Sequence, residues 1–247
     1  MKIILDIIHG RTRDVPRDLS LPELVEVAIL VEKYDMQEVT SEMAKEWEKV
    51  LQREVRNDVP GPNIASELFI SWAFRMEDNF RWYSTSAVID YSEKEFERIL
   101  ENNSEGLAIP GRILQFIGSK RRSGFKAIFN TLKYWFNGAA SFDNIQCARG
   151  DQNCEAMFLG TLLRSACRLG VWPPPQDELC PNAYLVEWLT KLRRLEIKTL
   201  CHLTRGDARE NRAATKAVME TLADINLVFE ESEFELEFFE LPSEVEE

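Results

Sequence analysis

The chain has 247 residues, 45% of them hydrophobic, and a formal charge of −12 at pH 7. That apolar content can bury a substantial core, which excludes a disordered polypeptide. The acidic balance opposes a phosphate-binding surface, because nucleic-acid affinity rests on Lys and Arg displacing condensed counterions.

The acidity is local. Residues 230–247 carry nine Glu and no basic residue, which accounts for nine of the twelve net negative charges. The opening MKIILDIIHG is apolar at its centre, yet RTRDVPRD follows without a small-residue cleavage site, so it does not read as a secretory signal. No apolar run approaches the roughly 20 residues that a bilayer-spanning helix needs. Five cysteines, at 147, 154, 167, 180 and 201, are odd in number and scattered. Reduced thiols in a soluble cytoplasmic or nuclear protein account for that pattern better than a disulfide framework.

In chain order, the first strong signal is Ser20-Leu-Pro-Glu23, a capping-box pattern that starts a helix. Leu24, Val25, Ala28, Val31 and Tyr34 continue it at helical spacing, and Asp35 with Glu38 offers a cap for a second helix. That helix carries Met36, Val39, Met43, Trp47 and Val50, so the two form a hairpin with almost no loop. NDVPGPN at 57–63 is the strongest punctuation in the chain and is expected to be a linker. Residues 64–77 read as an aromatic-rich helix, whereas 80–92 fit neither the helical nor the strand period and read as irregular or short helix. Pro110 opens a helix that Gly118 and Gly124 are expected to interrupt before another at 125–136. Further helices are expected near 153–169, 182–194 and 208–226, with the triple proline making 171–181 a stiff connector. No period of 20–50 residues recurs. The fold class read from these elements is all-α.

The segment IILDIIHGRTRDVPRDLSLPELVEVAILVEKYDMQEVTSEMAKEW resembles the second half of a BTB/POZ domain as found in filamentous fungi. The likeness rests on the Ile8-His9-Gly10-Arg11 turn, on Val15-Pro16, on the helix ending at Lys33-Tyr34 and on the helix ending at Trp47. Downstream, LFISWAFRMEDNF, LAIPGRILQFIGSKR, Cys154 through Leu159-Gly160, and Cys201-His202 are similar to the same group. The resemblance implies the C-terminal half of a BTB/POZ-like domain at 1–56, a linker at 57–63 and a helical extension domain at 64–229. An acidic, flexible tail at 230–247 completes the expected layout. It also implies protein partners, as a homodimer or a ubiquitin-ligase scaffold, and no reaction. The strands and helices with which such a domain begins, and which carry much of its dimer interface, would lie upstream of Met1.

The residues themselves offer no catalytic constellation and no cofactor site. Nucleophilic catalysis needs a Ser, Cys or Thr beside a His, and the chain has only His9 and His202. Cys201 and His202 are adjacent, and neighbours on a helix diverge by about 100°. A metal site drawing Cys147, Cys154, Cys201 and His202 together lacks the usual close Cys pairs, so none is expected. A small-molecule enzyme with a pocket lined by Trp72, Trp82 and Trp135 is one alternative, although aromatics at near-helical spacing usually form core. Lys120-Arg121-Arg122 reads as a solvated turn before it reads as an import patch.

In the tail, Glu233-Phe-Glu-Leu-Glu-Phe-Phe-Glu alternates acidic and large apolar residues. This pattern suits an edge strand added to a partner, an amphipathic disordered segment, or a tail that only aids solubility. Phe234, Leu236 and Phe238 are the candidates for partner contact. A transcription-linked regulator acting through this tail is the other functional alternative.

Overall fold

The computed structural model describes residues 1–55, 63–102, 107–140, 151–173, 175, 182–196, 198 and 200. The described residues are mainly helical and contain no strand. They form α1 (Lys2–Ile8), α2 (Leu21–Lys33), α3 (Gln37–Val55), α4 (Ile64–Ala73), α5 (Glu77–Ile89), α6 (Glu93–Asn102), α7 (Gly111–Ala140), α8 (Gln152–Arg168) and α9 (Leu185–Arg193). A single 3-10 turn, Thr12–Asp14, follows α1. The all-α class is therefore the one found.

The capping box forms as expected. The Ser20 amide and hydroxyl both donate to the Glu23 carboxylate, at 2.9 and 2.6 Å, and these bonds hold that carboxyl below its ordinary range. α2 then buries Leu24, Val27, Ala28 and Val31, and Leu24, Val27 and Val31 each stabilise the core by about 1.5–3 kcal/mol when fully removed from water.

The join to α3 differs from expectation. Asp35 does not cap α3; it sits at φ +51°, in the left-handed region, and ends α2 instead. Its amide donates to the Glu32 carbonyl and the Met36 amide to that of Val31, closing a Schellman motif. A short polar side chain tolerates that conformation, which is why Asp serves here in place of Gly.

The buried stripe of α3 is also rotated from the expected one. Thr40, Met43, Ala44, Trp47 and Leu51 are buried, while Val39 is 52% exposed. Trp47 sets the phase: its indole Nε1 donates to the Pro16 carbonyl at 3.0 Å, and its ring meets Phe74 edge-on at 5.5 Å. Thr40 compensates for its own burial by donating to the Met36 carbonyl at 2.9 Å. Val50 lies outside the residues whose side chains are described.

α4 and α5 repeat the junction. Arg75 takes φ +56°, its amide donates to the Trp72 carbonyl and the Met76 amide to that of Ser71. Phe74-Arg75-Met76 thus does what Tyr34-Asp35-Met36 does, with a different residue at the strained position. α5 is a full helix across most of the stretch read as irregular. Its period is hidden because Asn79, Phe80, Tyr83, Ser84, Ser86, Ala87 and Val88 are all buried, so polar and apolar residues share the inward faces. α6 has no counterpart in the sequence reading; Ser92 starts it, accepting from the Glu95 amide at 3.2 Å.

One apolar core joins residues on both sides of the expected linker. Ile4, Ile7, Leu24, Val31 and Trp47 pack in the same cluster as Phe69, Ile70, Phe74 and Met76. Compact packing divides the chain after Gly118 and not at 57–63, most of which lies outside the described residues.

The second unit begins at Ser119. α7 runs unbroken through Gly118 and Gly124, contrary to the expected interruption. Each glycine costs a helix interior about 1 kcal/mol relative to Ala, and the burial of Phe125, Ile128, Phe129 and Leu132 outweighs it. Phe129 stacks on Phe125 and meets the Trp188 ring of α9 edge-on at 5.2 Å. α8 starts where Asp151 accepts from the Asn153 amide at 2.9 Å, and ends at Gly170, φ +68°, in another Schellman motif.

After α9, Glu196 and Lys198 bond to α8. Ser165 Oγ accepts from the Glu196 amide at 2.9 Å and Thr161 Oγ1 from the Lys198 amide at 3.0 Å. The helix expected at 208–226 lies outside the described residues.

Candidate interaction surface

α1 is apolar on two faces. Ile4 and Ile7 face the core, whereas Met1, Leu5 and Ile8 are 69%, 43% and 49% exposed. Positions one, five and eight share one side of a helix, so the exposed three form a single outward stripe. The Ile8-His9-Gly10-Arg11 turn fixes the end of this helix: Gly10 takes φ +70° and the Arg11 amide donates to the Asp6 carbonyl at 2.7 Å. Lys2, Arg11, Arg13 and Arg17 are exposed around it in sequence, against two exposed carboxylates, Asp14 and Asp18; Asp6 is buried. The surface is thus an apolar stripe with a basic margin. The sequence reading missed it because a heptapeptide with five apolar residues does not say that both its faces are used.

Two open clefts accompany it. One, of about 620 Å³, is lined by Glu38, Ser41, Lys45, Glu48, Arg75 and Asp78 among others, along the first half of α3 and at the start of α5. Glu38 and Asp78 sit in the first turns of α3 and α5, where helix N-termini carry partial positive charge. The other, of about 370 Å³, lies in the second unit where Glu196 and Lys198 meet α8. Its Arg168 pairs with Glu196 at 3.0 Å, and both are well exposed, so the pair contributes little.

The buried polar groups of the first unit gather elsewhere. Burial, with Glu67, Glu95 and Asp90 adding to it, pushes the Tyr91 phenol up to about 12. Burial also raises Asp90, partly offset by the Ser86 hydrogen bond. An unfolded tyrosine titrates near 10, so between pH 10 and 12 the unfolded chain loses this proton while the folded chain keeps it. Stability from this group is complete below pH 10 and falls as pH rises toward 12. Denaturation of Tyr91→Phe across that window should show a shallower alkaline loss than the wild type; an unchanged slope would remove Tyr91 from the account.

The sequence candidates are placed as follows. Trp72 packs against the first unit's core and lies 6.0 Å from Phe69; Trp82 meets Tyr83 edge-on at 5.0 Å. Trp135 is buried in the second unit, so core packing describes Trp72 and Trp135, while Trp82 is half-buried. Lys120-Arg121-Arg122 is not a turn but part of α7, and Arg121 is only 1% exposed. Cys154 is buried on α8. Cys147, Cys201, His202 and the tail residues Phe234, Leu236 and Phe238 lie outside the described residues. Among the described residues, no three His, Cys, Asp or Glu stand close enough to hold a metal, and no helix is long and apolar enough to cross a membrane.

No protein-family model, no curated protein and no solved structure matches the chain.

Proposed function

We propose that the chain is a non-enzymatic protein–protein interaction module of the BTB/POZ type, with α1 as its contact face and a second copy of the chain as the partner. The outward stripe of Met1, Leu5 and Ile8 carries this reading, because large apolar side chains on one helix face gain most when another protein covers them. The stripe suits an isologous contact: with two α1 helices antiparallel, Leu5 lies near the dyad and Met1 of each faces Ile8 of the other. Three side chains supply far less than the roughly 800 Å² per partner of a stable dimer, so the association is weak and concentration-dependent.

Light scattering across a wide concentration range tests it. The mass is expected to rise above 28.6 kDa as concentration increases, and Leu5→Asp or Ile8→Asp should hold it at that value. A constant mass in the wild type, or a rise that survives both substitutions, would reject α1 as the contact face. Both side chains are substantially exposed, so a charge there leaves the core intact.

A further inference from the structure

Charge is divided unevenly between the two units. Residues 119–232 hold 16 Lys and Arg against 13 Asp and Glu, a positive surplus in a chain whose total is −12. Within that unit the cleft of about 370 Å³ on α8 is lined by three cations, Arg164, Arg168 and Lys198. Thr161 and Ser165 add hydroxyls, and Glu196 is the one carboxylate. We infer that this cleft binds a phosphate group. The site belongs to the second unit and is independent of the α1 contact.

Local charge is the first support. Glu196 is engaged by Arg168 at 3.0 Å, whereas Arg164 and Lys198 form no ion pair among the described residues. The other charges on the elements that build the cleft leave this balance intact. Asp151 and Glu155 stand at the opposite end of α8, and even Glu155 is about 13 Å of helix rise from Arg164. On α9, Glu187 pairs with Lys191 at 2.7 Å, and Arg193 and Arg194 follow as exposed cations. The partial negative charge at the end of α8 favours Arg168 in the last turn. It does not account for Arg164, a turn further in, or for Lys198, which is off the helix. Like charges held together repel, and an anion lying among them relieves that repulsion.

Geometry is the second. The backbone fixes Lys198 beside the helix, because its amide donates to Thr161 Oγ1 at 3.0 Å while the Glu196 amide donates to buried Ser165 Oγ at 2.9 Å. Thr161 and Ser165 are one turn apart, as are Arg164 and Arg168, so hydroxyls and guanidiniums run side by side along α8. Planar guanidinium forks with a mobile ammonium suit a tetrahedral oxyanion of two charges better than a single carboxylate. Arg168 and Glu196 are well exposed, so binding is sensitive to salt.

A phosphorus NMR titration of inorganic phosphate with the full chain, at constant ionic strength, tests the site. Arg164→Ala/Lys198→Ala is expected to weaken binding at least about tenfold, since hydrogen bonds to charged groups are the stronger class. Glu196→Gln, which releases Arg168, should tighten it. Lys126→Ala/Arg193→Ala removes the same charge from exposed positions that do not line the cleft, and should change affinity by less than about twofold if contact and not net charge governs binding. No binding to the wild type, or equal loss in the two double variants, overturns the inference. A labelled peptide with one phosphoserine among glycines separates the sources of the phosphate. Tighter binding than inorganic phosphate, displaced by that ion, assigns the group to a modified protein side chain; equal or weaker binding assigns it to a free small molecule. A peptide that binds equally well without its phosphate would reject the phosphate's part.

Discussion

Trp47→Ala is expected to destabilise the first unit by about 3–5 kcal/mol, the range for deleting a large buried aromatic. Trp47 has no exposed surface, and three separate parts of the unit depend on it. Its indole donor holds the Pro16 carbonyl, which ties the loop after α1 to α3. Its ring edge packs on Phe74, which ties α3 to the end of α4. Removing the side chain leaves a cavity, and it leaves a carbonyl without its donor. A fall in thermal midpoint on the order of 15 °C should follow for a unit of this size. Trp47→Phe divides the effect: it retains most of the packing and loses the hydrogen bond, so a cost of about 1–3 kcal/mol is expected. A loss under about 1 kcal/mol for Trp47→Ala would show that the loop is held by other means.

Phe129→Ala is expected to cost the second unit a similar 3–5 kcal/mol. Phe129 is fully buried between Phe125 of its own helix and Trp188 of α9, and the edge-on contact at 5.2 Å adds to its area burial. Trp188 also meets Phe125 edge-on at 6.4 Å, and Phe129 is the nearer of the two rings, so α9 should loosen when it is removed. Hydrogen exchange read by segment distinguishes the two variants. Trp47→Ala should accelerate exchange in α2 and α3, and Phe129→Ala in α9, each leaving the other unit's core protected. Acceleration everywhere in both variants would mean that the chain unfolds as one cooperative body.

How far the sequence discloses this depends on which residues carry each signal. The Ser20–Glu23 cap was legible because both partners lie within one turn. α5 was not, because burial of Ser84, Ser86 and Asn79 removes the polar face that periodicity needs. The two glycines of α7 read as breaks because a local cost is visible in sequence while the burial that offsets it is not. Asp35 was mistaken for a cap of the following helix because the same short polar side chain suits either role. Arg75 gave no signal at all, since nothing in an arginine announces a left-handed backbone. For the candidate surface, the tail residues Phe234, Leu236 and Phe238 were named from their alternation with Glu, but α1 was not. Its seven residues needed a core on one side before the other side meant anything.

The paired junctions at Asp35 and Arg75 also constrain how this chain can change. With only Tyr34, Asp35 and Met36 between α2 and α3, and Phe74, Arg75 and Met76 between α4 and α5, neither hairpin has slack to absorb an added residue. A long loop takes up a length change within itself. Here a single inserted residue would rotate the following helix by about 100° and carry its buried stripe out of the core. Tolerance to insertion must therefore lie outside the hairpins, and the relative pose of each helix pair is inherited as a unit, fixed by backbone geometry more than by the side chains that decorate it.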